Sequence, residues 1–232
     1  MFEEVLDFIF PRRCFSCGRI EDYLCSDCLN KKLILQNNCF LCNDKDNSSR
    51  LKNCNTCRDN IMLDGIISFF DYKDSCIKEM MKFLKFRYSY NIGRYFGEVI
   101  GNIFNERYKL DENYILIPVP ISKKRLNERG FNQSYIFANE LSKKININIY
   151  PDVLIKDKST ADQVGLTQEE RSKNLKSAFS VKYDKIIKYN LYDKNVILVD
   201  DVVTTGSTVA NCAMILKNNR FKKVFVLTIA RT

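Results

Sequence analysis

The chain has 232 residues, 45% of them hydrophobic, and a formal net charge of +9. This composition is typical of a globular protein and excludes a disordered chain. Because the chain contains no histidine, Ser-His-Asp catalysis, His-ligated catalytic zinc and histidine-based pH switches are excluded. No apolar run approaches the roughly 18 residues of a membrane span, and the acidic amino-terminal segment differs from a signal peptide, so we expect a cytosolic protein. The positive charge fits acidic partners such as nucleic acid or phosphorylated ligands, although an AT-rich genome would produce the same excess of lysine.

The amino-terminal part of the chain is rich in cysteine. Eight of the ten cysteines form four Cys-x-x-Cys pairs: Cys14/Cys17, Cys25/Cys28, Cys39/Cys42 and Cys54/Cys57. Two thiolates on one turn can bind the same metal ion, and two such turns complete the tetrahedral sulfur site that zinc prefers. The pattern predicts two structural zinc ions in a Cys-rich domain over residues 1–60, with either sequential or cross-braced pairing. A platform for nucleic acid or a partner is the alternative to a purely structural role.

Strands and helices alternate in the rest of the chain. Apolar runs predict strands at residues 65–72, 114–119, 195–200 and 223–230. Apolar positions at helical spacing predict helices at residues 76–86, 91–107, 132–145 and 207–217. This alternation predicts an α/β domain over residues 61–232, in which a parallel sheet is flanked by helices.

The strand at residues 195–200 leads into the most informative segment of the sequence. It ends in two adjacent carboxylates, Asp200 and Asp201, and a turn of small residues then begins a helix: Thr204, Thr205, Gly206, Ser207 and Thr208. Ligands bind at the carboxyl ends of parallel strands, and a helix amino terminus attracts anions, so the turn is a candidate phosphate site. It matches neither a Walker A loop nor a dinucleotide-binding loop. Two acids beside a phosphate would repel it unless they bind sugar hydroxyls or a metal, so the pattern favours a ribose 5-phosphate.

A basic loop follows the predicted strand at residues 114–119. Lys123, Lys124, Arg125 and Arg129 stand there with a single acid among them, a pattern that suits a diphosphate. A solvated run of charge is the alternative. Three further lysines, Lys78, Lys82 and Lys85, share one side of a predicted helix, and we expect an ordinary exposed face there.

Residues 196–208 resemble the phosphoribosyl pyrophosphate (PRPP) fingerprint of type I phosphoribosyltransferases. Together with the cysteine pairs, they make the chain similar to the ComF/GntX-like phosphoribosyltransferase family, which is linked to DNA uptake in naturally competent bacteria. Residues 117–120, 129–134 and 158–179 also match that family, although Lys158 stands where an arginine is expected. The resemblance implies a type I phosphoribosyltransferase domain preceded by a double zinc ribbon.

The resemblance also implies a function, the Mg²⁺-dependent transfer of phosphoribosyl from PRPP to an acceptor with release of pyrophosphate. Asp200 and Asp201 would bind the ribose hydroxyls, the turn at residues 204–208 the 5-phosphate, and the basic run the pyrophosphate. Lys158 and Arg171 would lie on a lid over the reacting centre. Together with the two aspartates, they would be the catalytic residues. The alternative is a non-catalytic PRPP sensor or a single-stranded-DNA-binding competence factor, with DNA-uptake proteins as possible partners. Candidate base-stacking residues for the DNA-binding alternative are Phe69, Phe70, Tyr72, Phe86 and Tyr88.

Overall fold

The structure is a computed structural model that describes residues 11–34, 62–85, 90–156 and 178–232. The third and fourth cysteine pairs, the two predicted lid residues and two of the stacking candidates lie outside the described residues: Cys39, Cys42, Cys54, Cys57, Lys158, Arg171, Phe86 and Tyr88. In chain order, the described elements are α1 (Ser26–Lys32), β1 (Gly65–Asp71), α2 (Ser75–Phe83), α3 (Tyr90–Arg107), β2 (Tyr114–Pro118), α4 (Lys123–Arg129), α5 (Gln133–Ile145), β3 (Leu154–Lys156), β4 (Phe179–Val181), α6 (Tyr183–Lys188), β5 (Asn195–Val203), α7 (Ser207–Asn218) and β6 (Lys223–Arg231).

A four-stranded parallel sheet forms the centre of the fold, with the order β1-β6-β5-β2. Successive residues of β5 face opposite sides: Val196 and Leu198 pack with α6 and α7, whereas Ile197 and Val199 pack with α2, α3 and α5. Both faces of the strand are therefore apolar, as expected for a parallel sheet covered by helices. The predicted α/β fold class is confirmed. A small antiparallel pair, β3 with β4, adds to the core on the side of α7.

Helices α3 and α5 pack closely because three glycines recur at every fourth residue of α3: Gly93, Gly97 and Gly101. A Cβ atom at Gly97 would lie 2.5 Å from the Cβ of Glu140 and 2.9 Å from the carbonyl oxygen of Phe137. Larger residues would separate the helices. This contact helps to hold α5 against the sheet, with its amino end near the carboxyl end of β2.

The described amino-terminal residues 11–34, which we call the four-cysteine module, pack on the α/β domain. Cys14, Leu24 and Cys25 belong to the same apolar core as α2 and α3. The hydroxyl of Tyr95 in α3 donates to the Leu24 carbonyl over 3.0 Å. The end of the module also bonds to the outer edge of β1, where the Ile34 N–H donates to the Phe69 carbonyl.

Two of the candidate base-stacking residues lie in the core. Phe69 and Phe70 in β1 are fully buried, so neither ring is available to a nucleobase. Tyr72 is partly buried against the same core. Among the described helices, none is both long enough and apolar enough to cross a membrane.

Candidate functional site

A cavity of about 230 Å³ lies at the carboxyl ends of β2 and β5. It is open there because β5 is longer than its neighbour: β2 ends at Pro118, opposite Val199, whereas β5 continues to Val203. The predicted strand ended at Asp200, but the structure places both Asp200 and Asp201 inside the strand. The longer strand thus carries both carboxylates past the end of β2 to the cavity wall.

The Asp200 carboxylate accepts two hydrogen bonds and is partly buried at the cavity wall. The Ser134 hydroxyl and the Asp201 N–H each donate to the same Asp200 carboxylate oxygen over 2.9 Å. Burial raises the pKa of Asp200, and the neighbouring Asp201 carboxylate raises it further, to about 8. The backbone at Asp201 is held by Thr228 of β6, whose hydroxyl donates to the Asp201 carbonyl over 2.9 Å.

A smaller recess of about 50 Å³ adjoins the cavity and is formed by the loop between β5 and α7. Asp200, Val202 and Thr208 line both spaces. Gly206 precedes the helix with a φ of 75°, a conformation that glycine adopts without strain, and it brings no side chain to the helix amino end. The Thr205 and Ser207 hydroxyls lie 2.9 Å apart, and the Thr205 hydroxyl oxygen accepts from the Ser207 N–H over 3.4 Å. Hydroxyl groups and a helix amino terminus, both of which attract anions, therefore lie together at the recess. We call residues 204–208 the anion loop.

The predicted basic run is a helix, α4, rather than a loop. Ser122 caps it by accepting from the Arg125 N–H over 3.4 Å, and it ends at Gly130, whose φ is 82°. Arg125 and Arg129 are one turn apart and both line the cavity. Lys123 and Lys124 are exposed on the first turn and are not among the lining residues.

Two further lysines line the cavity, and sequence reasoning missed both. Lys85 was expected on an ordinary exposed helix face, which is wrong, because the residue lies just beyond the end of α2 at the cavity wall. Lys156 ends β3, with its ammonium 4.9 Å from the centre of the Phe179 ring. Burial and the nearby Arg125 lower the pKa of Lys156. The helical spacing of Lys85 with Lys78 and Lys82 favoured an exposed face, and no periodicity marks Lys156.

The residues that begin α5 join the cavity to the end of β2. The Asn132 side-chain amide donates to the Val119 carbonyl over 3.0 Å and accepts from the Ser134 N–H, which caps the helix. Gln133 is only 2% exposed and lines the cavity, and its side-chain oxygen has no hydrogen-bond partner among the described residues. The motif at residues 129–134 therefore places two cavity residues directly on the helix start.

The four described cysteines of the module form a candidate metal centre. The sulfur atoms of Cys14, Cys17, Cys25 and Cys28 lie within 4.8 Å of one another, and the Cys17 and Cys25 atoms are 3.7 Å apart. Tetrahedral zinc with Zn–S bonds of about 2.3 Å requires sulfur atoms about 3.8 Å apart, so the residues fit one zinc ion.

The first two pairs come together, as sequential pairing predicts. Burial opposes ionisation of Cys14, but hydrogen bonds from backbone N–H groups of Cys25, Cys17 and Ser16 lower its pKa to about 6. The thiolate is the form that binds zinc.

Residues 132–231 match the family model of the phosphoribosyl transferase domain. This segment begins at the α5 cap and ends in β6, so it contains both aspartates and the anion loop. Asp200, Asp201 and the anion loop therefore lie within the segment that matches this domain.

Two curated relatives indicate which kind of phosphoribosyl transferase domain protein the chain resembles. Competence protein F of Haemophilus influenzae is 34% identical over 116 residues, which cover 50% of this chain and 49% of the relative. This chain thus spans about half the length of the curated relatives of this kind. Competence protein ComFC of Bacillus subtilis is 27% identical, and the match covers 91% of this chain and 85% of the relative. Together with the domain match, these relatives support the ComF-like phosphoribosyltransferase family for this chain, which confirms the resemblance found in the sequence.

Among solved structures, a hypoxanthine phosphoribosyltransferase from Staphylococcus aureus is similar with a TM-score of 0.36 and 12% identity. The match covers 60% of this chain and 63% of that protein. This similarity is too low to indicate a substrate.

Proposed function

We propose that the protein binds PRPP with Mg²⁺ and transfers its phosphoribosyl group to an acceptor with release of pyrophosphate. One observation carries the proposal. A single cavity joins two adjacent carboxylates, four cationic side chains and, through the adjoining recess, a helix amino terminus. A ligand that fits this arrangement needs a diol, a terminal phosphate and a second cluster of negative charge, and PRPP has all three.

Each part of PRPP has a matching group. The anion loop would bind the 5-phosphate through backbone N–H groups and hydroxyls. Asp200 and Asp201 would accept hydrogen bonds from the ribose hydroxyls, and their oxygens are also the ligands that Mg²⁺ prefers. The four cations of the cavity wall would bind the pyrophosphate: Lys85, Arg125, Arg129 and Lys156. Lys123 and Lys124 remain candidates for the same role from the exposed turn of α4.

The chemistry needs little covalent work from the protein. As pyrophosphate leaves C1, the leaving group gains negative charge and the sugar becomes oxocarbenium-like, so cations on one side and carboxylates on the other stabilise the separating charges. Bound Mg²⁺ would supply further neutralisation of the pyrophosphate. We also propose Lys158 and Arg171 as residues of a lid that excludes water from the site.

Calorimetry with PRPP and Mg²⁺ tests the binding site. The double variant Asp200→Asn/Asp201→Asn should lose at least about tenfold in affinity, since it removes both carboxyl groups that would bind the ribose hydroxyls and Mg²⁺. Asp193→Asn is the matched control, because Asp193 lies just before β5, at the end opposite the cavity, and its side chain is 69% exposed. Equal PRPP binding by the wild type and the double variant would remove the proposed site.

Release of pyrophosphate measures turnover independently of PRPP binding. Pyrophosphate release should depend on Mg²⁺ and on one member of a panel of nucleobases and amines. PRPP binding without release across the panel would contradict transfer and favour the PRPP-sensing alternative.

We further propose that the protein acts in DNA uptake. We also propose that it has two domains, a Cys-rich domain of residues 1–60 and a phosphoribosyltransferase domain of residues 61–232. The names of the relatives support the role in DNA uptake. The second zinc ion would be bound by Cys39, Cys42, Cys54 and Cys57. Two zinc ions per chain by elemental analysis, and loss of transformation on deletion of the gene, are the expected results.

A further inference from the structure

We propose that the four-cysteine module positions Lys85 in the cavity, acting through helix α2, and thereby sets the affinity of the site for pyrophosphate. This inference rests on the proposed function, because it assigns the cavity cations to an anionic ligand. It concerns the side chains Phe15 and Lys32, which do not reach the cavity themselves.

The module holds the amino end of α2 through an ion pair. The Lys32 ammonium lies 2.7 Å from an oxygen of Asp74, and both side chains are largely shielded from solvent. The other oxygen of Asp74 accepts from the Ile77 N–H over 3.0 Å and so caps α2. Lys32 is the last residue of α1, the helix that carries the metal-site residue Cys28. One carboxylate therefore joins the metal-binding helix to the start of α2.

The module also holds the carboxyl end of α2 through an aromatic contact. Phe15 directly follows the metal-site residue Cys14, and its ring packs edge-on against Phe83 with centroids 5.5 Å apart. Phe83 is the last residue of α2 and is otherwise exposed. The next residue, Leu84, is fully buried, and Lys85 follows at the cavity wall. Only one residue, Leu84, separates the aromatic contact from the cavity cation.

These contacts have a consequence for binding. Lysine is a single charge on a long stem, so its contribution to a phosphate site depends on where the backbone places it. The core holds α2 along its length, from Cys76 to Leu84, and the module adds the ion pair at Asp74 and the aromatic contact at Phe83. If Phe15 acts through Lys85, removing the Phe15 side chain should lower the affinity for pyrophosphate by no more than the contribution of Lys85.

A double-mutant cycle tests this, with inorganic pyrophosphate and Mg²⁺ as the titrant in calorimetry. Phe15→Ala and Lys85→Ala should each weaken binding by between about two-fold and tenfold, the range that one aromatic pair or one solvated charge contact supplies. The double variant should bind no more weakly than Lys85→Ala alone, because the two changes remove the same contribution. Phe15→Tyr keeps the ring and should retain the wild-type affinity.

Arg125 provides the matched comparison, because it reaches the cavity from α4. Phe15→Ala combined with Arg125→Ala should multiply the two single effects. Zinc content measured for every variant shows that the module is intact. If Phe15→Ala loses zinc or unfolds, Lys32→Met tests the other end of α2, with the same expected dependence on Lys85.

Two results would overturn the inference: wild-type affinity in both Phe15→Ala and Lys32→Met, or effects that multiply with that of Lys85→Ala. In either case a loss of affinity in Arg125→Ala would leave the proposed site standing. A wild-type protein that binds neither PRPP nor pyrophosphate would instead remove the proposed function, and the inference with it.

Discussion

Replacing Asp200 by asparagine should stabilise the folded protein, and the gain should grow with pH. Asparagine has nearly the same shape and keeps an oxygen that can accept from the Ser134 hydroxyl and the Asp201 N–H. It removes a carboxylate that is buried beside a second carboxylate, the arrangement that raises the pKa of Asp200 to about 8. The substitution therefore relieves electrostatic strain with little change in packing.

Proton linkage gives the direction and the size of this stability difference. Because the folded pKa is raised, the folded state retains the Asp200 proton where the unfolded chain has lost it. The stability that this proton contributes is fully present below pH 4 or so, is lost as pH rises to about 8, and stays lost above that value. A rise in the pKa from 3.8 to about 8 corresponds to at most about 6 kcal/mol. Since the side chain keeps some access to the cavity, we expect the variant's advantage to grow by about 2–3 kcal/mol between pH 5 and pH 9.

Urea unfolding of both proteins at pH 5, 7 and 9 measures this advantage, with neither PRPP nor Mg²⁺ present. Asp193→Asn serves as the control for the loss of one negative charge, since that side chain is exposed. Its stability relative to the wild type should not change with pH. The same Asp200→Asn protein should bind PRPP more weakly, a trade of stability for function.

An advantage of Asp200→Asn that is absent, or equal at all three pH values, would refute the reasoning. Such a result would mean that water or a cation already solvates the Asp200 carboxylate in the folded protein. A pKa of Asp200 near 4, measured by NMR, would lead to the same conclusion.

Three further outcomes are expected. Cys14→Ser should release one zinc ion per chain and make residues 11–34 susceptible to proteolysis, and retained zinc stoichiometry would count against the four-cysteine site. Arg125→Ala should weaken pyrophosphate binding and flatten its salt dependence, whereas Arg107→Ala, an exposed charge at the end of α3, should change neither. Gly97→Ala should destabilise the fold by about 1–3 kcal/mol in thermal unfolding, because its methyl group would press on the α5 backbone, and the exposed Asn102→Ala on the same helix should be close to neutral.

Local patterns in the sequence were sufficient for the sheet and its main helices. The apolar run at Val196 and Leu198 predicts a buried strand because a parallel strand is covered on both faces, and the structure confirms it. The glycine and hydroxyl residues after it predict a loop that opens a helix, and Gly206 takes the required left-handed conformation. Cysteine spacing predicted two four-sulfur sites, and the grouping of Cys14, Cys17, Cys25 and Cys28 fits the first of them.

Short elements were harder to predict. Neither α1 nor α4 was expected, because their residues carry charges or metal ligands and bury no apolar stripe. The basic run was accordingly described as a loop. Its helical form decides which cations share a face, since Arg125 and Arg129 line the cavity, whereas Lys123 and Lys124 on the exposed first turn do not.

Sequence alone determined the chemistry available to this protein: adjacent acids, an anion-binding turn, basic residues and paired thiols, each readable because it is local along the chain. Only the tertiary structure decided which of them meet. Lys85 and Lys156 reach the cavity from two elements far apart in sequence, and no periodicity records a contact made across the fold. The opening of the cavity depends on β5 extending past the end of β2. Neither strand encodes this difference in length by itself.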